Sequence, residues 1–152
     1  MTHELSVTRH IAAPPARVWD VMTNHIEEWW CPKPWRAEFT GLEWRAGAAA
    51  NCTMYGPDGE VHANPGTVLA YDEGRRFAFT DAIVGDLEPS GPFMIGIWSI
   101  AAEGDGTRYL ARARHWTEEA AKQHEEMGFT DGWSACADQL VALCEAGCWH
   151  KG

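Results

Sequence analysis

Basic side chains are scarce in this 152-residue chain: 12 Lys and Arg stand against 22 Asp and Glu, a formal net charge of −10. Affinity for nucleic acid rests chiefly on neutralising phosphates, so DNA, RNA and anionic membranes are not expected partners. Long apolar runs are missing too, since no stretch approaches the roughly 20 residues of a membrane-spanning helix. The opening Met1-Thr2-His3-Glu4-Leu5 lacks the basic-then-apolar order of a secretory signal, which makes the cytoplasm the expected location. Cysteines are few, odd in number at five and without paired spacing, in a chain large enough to bury a core without covalent staples. They read as reduced thiols. Cys144, Cys148 and His150 come close in sequence but lack a fourth ligand, and no metal site is read from them. Nucleophile-elbow, phosphate-loop and dinucleotide fingerprints are absent as well. His124-Glu125-Glu126-Met127 begins like a zinc-protease helix, but Met127 and Gly128 stand where a second histidine is required. No cofactor is expected.

What the chain has in excess is tryptophan, nine residues spread over its whole length. Large rings build a core or wall a cavity, and composition alone does not separate the two. The pattern along the chain gives the organisation. Leu5 to Ile11 alternates apolar and polar residues, with Arg9 on the apolar side, and reads as a strand. Pro14-Pro15 suits the first turn of a short helix carrying Val18, Trp19 and Met22 on one face. A second short helix is expected over Ile26 to Trp30, followed by a rigid connector, Cys31-Pro32-Lys33-Pro34-Trp35. From Arg36 to Thr80, turn chemistry at Arg45-Ala46-Gly47, Gly56-Pro57-Asp58-Gly59, Asn64-Pro65-Gly66 and Asp72-Glu73-Gly74 separates strand-length segments, which makes them antiparallel neighbours. A looser stretch around Asp86 to Pro92 precedes a hairpin of Phe93 to Ala102 with Thr107 to Trp116. Thr117 is placed as a helix N-cap, Gly128 interrupts, and from Thr130 the face Trp133, Ala137, Leu140, Cys144 continues until Gly147. Residues 1–152 are therefore expected to form a single α+β domain.

The order of elements resembles the START-like or birch-allergen-like (SRPBCC) superfamily with its helix-grip fold. That fold is a curved antiparallel sheet of about six to seven strands, two short helices and a long C-terminal helix. More specific are Trp30-Cys31-Pro32-Lys33-Pro34-Trp35, Gly56-Pro57-Asp58-Gly59, Phe79-Thr80-Asp81-Ala82, Gly106-Thr107-Arg108-Tyr109, His115-Trp116-Thr117 and His124 to Phe129 leading to Gly132-Trp133. These segments resemble the bacterial subfamily named for the C-terminal domain of the activator of the heat-shock-protein-ninety ATPase. The superfamily puts one cavity-forming fold to many uses, including lipid transfer, hormone sensing, polyketide cyclisation and co-chaperone work, so the resemblance implies a fold more than an activity. The larger co-chaperone carries a further N-terminal domain, for which this chain has no room.

Strand faces locate the expected cavity. Thr107, Tyr109, Ala111, Ala113 and His115 share one face, opposite Arg108, Leu110, Arg112, Arg114 and Trp116, whose arginines belong in water. Met94, Gly96 and Trp98 are assigned inward on the preceding strand, which puts Ile95 and Ile97 outside as an apolar pair suited to a subunit contact in a homodimer. The expected ligand pocket comprises Trp30, Met54, Met94, Trp98, Tyr109, Ala111, Ala113, His115 and Trp133, with the small Ala111 and Ala113 leaving room. The leading reading is a non-enzymatic, or only incidentally catalytic, module that binds a hydrophobic or aromatic small molecule between sheet and terminal helix. Two alternatives stand beside it. One is a cyclase- or dehydratase-like enzyme using His115 with Tyr109, to which Glu43 and Asp81 could converge. The other, implied only by the resemblance, is a co-chaperone-like partner of a heat-shock ATPase.

Overall fold

In the computed structural model, which describes residues 3–84, 88–89 and 94–146, apolar alternation produces the first strand. β1 (His3–Ile11) buries Val7 and Ile11 and exposes Glu4, Ser6, Thr8 and His10. Arg9, on the inward side, is held by Asp138 of the C-terminal helix, Nε to Oδ1 at 2.9 Å. Pro14 supplies an extended N-cap and Pro15 the first residue of α1 (Pro15–Asn24), a position where a missing N–H costs no hydrogen bond. This helix buries Val18, Trp19, Val21 and Met22. The next helix is shorter than its sequence pattern predicts, a single 3-10 turn at Ile26–Glu28. Trp30 N–H still donates to Ile26 O at 3.1 Å, and Pro32 and Pro34 then end any regular ladder.

The strands that follow are β2 (Arg36–Phe39), β3 (Cys52–Tyr55), β4 (Val61–Asn64), β5 (Thr67–Asp72), β6 (Arg76–Thr80), β7 (Ile83–Val84), β8 (Glu88–Pro89), β9 (Met94–Glu103) and β10 (Gly106–His115). One antiparallel sheet has the order β1-β10-β9-β6-β5, a second β2-β3-β4, and β7-β8 form a two-stranded ribbon. The two larger sheets are joined: Ala50 N–H donates to Gly66 O at 2.9 Å and Val68 N–H to Ala48 O at 2.8 Å, either side of a bridge between Ala49 and Thr67. β4 and β5 therefore act as one bent strand, and a continuous curved sheet runs from β1 round to β2. This is the helix-grip architecture that the family resemblance implies, assembled from the antiparallel neighbours that turn chemistry and alternation predict. The looser stretch expected around 86–92 lies outside the described residues apart from β8.

Thr117 caps α2 (Glu118–Glu126), its Oγ1 accepting from Ala120 N–H at 3.1 Å, with Glu118 and Glu119 in the first turn. Gly128, at φ +98°, separates α2 from α3 (Phe129–Glu145), a left-handed backbone that glycine adopts without a Cβ clash. α3 buries Phe129, Cys136, Ala137, Leu140 and Cys144 along one face. It crosses the inner side of the sheet against β1, where Ala12 N–H donates to Glu145 Oε2 at 2.8 Å. α3 ends at Glu145 with an extended Ala146 as its C-cap; Gly147, and Cys148 and His150 considered above as metal ligands, lie outside the described residues. No helix among the described residues is long and apolar enough to cross a membrane.

The outer face of the hairpin departs from expectation in one respect. Ile97 is only 9% exposed and Ile95 half-buried, so the pair is not an open apolar patch. Ile97 lies between Ala78 and Arg112 in register, and the Arg112 Nε is itself buried, so the arginine stem lies over the sheet beside it. The exposed large apolar side chains among the described residues are instead Val61, Leu69, Trp116 and Met127.

Candidate functional site

Alternation along β9 and β10 turns Gly96, Trp98 and Ile100, and Thr107, Tyr109, Ala111, Ala113 and His115, toward α3, and every one of them is buried. Between this wall and α3 lies a cavity of about 240 Å³. Its aromatic boundary comes from four tryptophans, Trp29, Trp30, Trp98 and Trp133, with Phe39, Phe79 and Tyr109. Trp98 stacks on Trp133 across the sheet–helix gap at 5.3 Å between ring centroids and 16° between planes. Trp30 closes the other side, 4.8 Å from Trp98, 5.5 Å from Phe39 and 5.6 Å from Phe79. Such offset and edge-on pairs are the arrangements aromatic quadrupoles favour.

Gly96 makes the Trp98 position possible. A Cβ at residue 96 would stand 2.5 Å from the Trp98 ring, so the glycine is occupied space over which the indole lies. The Trp29-Trp30 segment is fixed to α3 by one side chain. Gln139 Nε2 donates to Cys31 O at 3.0 Å and Trp29 O at 3.4 Å, while its Oε1 accepts from Lys33 N–H at 2.9 Å. Cys136 Sγ adds a contact to Trp30 O at 3.1 Å. The proline connector, which closes a turn of its own from Trp35 N–H to Pro32 O at 3.0 Å, is thereby laid over the cavity.

Sulfur fills much of the rest, from Cys31, Cys52, Cys136, Met54 and Met94. Burial raises the Cys31 thiol, and it pushes Cys52 and Cys136 up to about 12, with the neighbouring Cys31 adding to both. These thiols stay protonated near neutrality, so they behave as polarizable apolar groups and not as nucleophiles. The Tyr109 hydroxyl is likewise raised by complete burial. Among the described residues no Lys, Arg or His lines the cavity, and Asp81 is the one charged side chain that does.

Of the expected pocket residues, Trp30, Met54, Met94, Trp98, Tyr109 and Trp133 line this cavity, whereas Ala111, Ala113 and His115 do not. The two alanines are fully buried in the core cluster that includes Ala137 and Leu140 of α3, so their small size admits the helix instead of a ligand. His115 is tied elsewhere: its Nδ1 lies 3.0 Å from His3 O and its Nε2 2.9 Å from His124 Nδ1. Tyr109 and His115 share a face but stand six residues apart on β10, about 20 Å at the rise of a strand. No substrate position is common to both, and Glu43 is exposed in a separate open groove, paired with Arg45 at 2.9 Å. Among the described residues no group of His, Cys, Asp and Glu is arranged to hold a metal ion.

Sequence reading did not place Phe39, Phe79, Cys31, Cys52 or Cys136 at the cavity. Two of them carried a usable signal. Phe77 and Phe79 alternate on β6, and Cys136 falls one helical turn after Trp133.

The description "Activator of Hsp90 ATPase homolog 1-like protein" belongs to the family whose model matches residues 12–145. Among solved structures, a protein from Nitrosomonas europaea is 33% identical with 92% of each chain covered and a TM-score of 0.85. One from Mycobacterium smegmatis is 29% identical, covering 95% of this chain and 92% of its own, with a TM-score of 0.80. A Silicibacter pomeroyi protein at 19% identity and a TM-score of 0.66, covering 92% of this chain and 96% of its own, shares the fold. No curated protein matches the chain.

Proposed function

The chain belongs to the Activator of Hsp90 ATPase homolog 1-like family, and from that membership together with the cavity we propose that it binds a hydrophobic or aromatic small molecule between sheet and C-terminal helix. The observation that carries this reading is the lining: four tryptophans, two phenylalanines and five sulfur-bearing side chains around about 240 Å³ with a single carboxylate. The rings pack against one another and leave a volume between them unfilled. The protonated thiols and a lining that among the described residues contains no histidine or lysine favour binding over acid–base or nucleophilic chemistry.

Gly132 provides the test. It lies in α3 on the cavity lining, and a Cβ there would meet only Pro32 Cγ, at 4.0 Å. Titration of the protein with the uncharged dye Nile red should give saturable, blue-shifted emission, and Gly132→Phe, which projects a ring into the cavity, should remove it. Binding that survives unchanged in Gly132→Phe would place the dye elsewhere and count against the cavity as the site.

A further inference from the structure

Building on the proposed binding role, we infer that the cavity is made for a hydrophobic cation: an aromatic or branched apolar group bearing a quaternary or protonated amine. Among the described residues the cavity offers Asp81 and no cationic side chain, so a fatty acid, phosphate ester or other anion would be desolvated against a carboxylate with none of them to neutralise it. Asp81 forms no ion pair among the described residues, and the sequence from Ala82 to Phe93 contains no Lys, Arg or His. Its Oδ1 accepts one hydrogen bond, from Met94 N–H at 3.3 Å, and the adjoining Thr80 hydroxyl is already committed to Met94 O at 3.0 Å.

The aromatic faces supply the second half of the site. Asp81 follows Phe79 by two residues at the end of β6, roughly 7 Å further along the strand direction. Phe79 lies 5.6 Å from both Trp30 and Trp98. A carboxylate is thus set one step beyond a group of three ring systems whose faces carry negative quadrupole potential. That combination attracts an organic ammonium by cation–π contact and by charge together. Trp133, stacked on Trp98 from the helix side at 5.3 Å, is uncharged and lies next to this group, so it receives the apolar part. The net charge of −10 favours the approach of a cation further.

The experiment compares benzyltrimethylammonium with neopentylbenzene, its carbon isostere, by chemical-shift titration of the tryptophan indole N–H signals in the full chain. The ammonium should bind at least tenfold more tightly, and Asp81→Asn, which keeps an acceptor for Met94 N–H, should erase most of that margin while leaving neopentylbenzene affinity unchanged. Equal or tighter binding of the isostere would overturn the inference and leave the apolar-ligand reading standing. Benzyl alcohol binding as well as the ammonium would also overturn it, by assigning Asp81 to a neutral hydrogen-bond donor. If neither probe moves the indole signals and Nile red fails as well, both readings fall.

Discussion

His115 Nδ1 faces the carbonyl of His3 and can only donate to it. In the neutral pair this leaves His115 Nε2 as acceptor and His124 Nδ1 as donor across their 2.9 Å contact. Burial, with His115 adding a smaller effect, lowers His124 from its ordinary 6.5 to about 4. The unfolded chain therefore takes up a proton near 6.5 while the folded chain resists until about 4. Stability from this residue is complete above pH 6.5 and drains away as the pH falls through that window, by roughly 1 to 3 kcal/mol. Urea unfolding at pH 7 and pH 4.5 should show a larger loss for the native chain than for His124→Phe, and parallel losses would refute the assignment. Gly96 is a second residue whose effect is steric. With its prospective Cβ 2.5 Å from the Trp98 ring, Gly96→Ala should cost about 1–3 kcal/mol and shift the Trp98 indole N–H resonance, because overpacking here displaces a cavity wall. An unshifted resonance would mean that the strand, not the indole, gives way.

At the scale of elements, α3 and the proline connector depend on one another through Gln139, whose amide satisfies the Trp29 and Cys31 carbonyls and the Lys33 N–H. Gln139→Leu keeps the bulk but leaves those backbone groups without partners. Stability should fall by about 2–3 kcal/mol, and limited proteolysis should gain a site between residues 29 and 35; resistance equal to the native chain would show the connector to be held by its rings alone. Gly132 works in the opposite direction, since open space around it means Gly132→Ala should stabilise α3 by about 0.5–1 kcal/mol. The reasons that made these elements visible in the sequence are local ones. Alternation from Leu5 to Ile11, the Thr117 cap and the Gly128 break each act within a few residues, and each appears in the structure at its predicted place. Gln139 left no such mark. Its role exists only because a segment more than a hundred residues earlier crosses above it.

For the whole molecule, the same distinction explains why the site was half legible. Strand parity correctly turned Trp98 and Tyr109 inward, and one further step from parity to cavity misplaced Ala111, Ala113 and His115, because parity does not say whether helix or empty space lies opposite. Only the path of α3 decides that, leaving the opening toward Trp30, Phe79 and Met94. A ligand in that opening touches the connector, β3, β6, β9, β10 and α3 at once, so occupancy must couple to global unfolding and not to one loop. Binding to the folded chain alone adds RT ln(1 + [L]/Kd), about 2.7 kcal/mol at a hundredfold excess over Kd. For a chain of this size each kcal/mol moves the melting temperature by about 2–4 °C, so Nile red at that excess should raise it by roughly 5–11 °C. Gly132→Phe should melt cooperatively with no ligand-dependent shift. A native chain whose melting temperature stays fixed while the dye demonstrably binds would locate the dye on a surface also present in the unfolded state, and the enclosed cavity would then have no part in binding it.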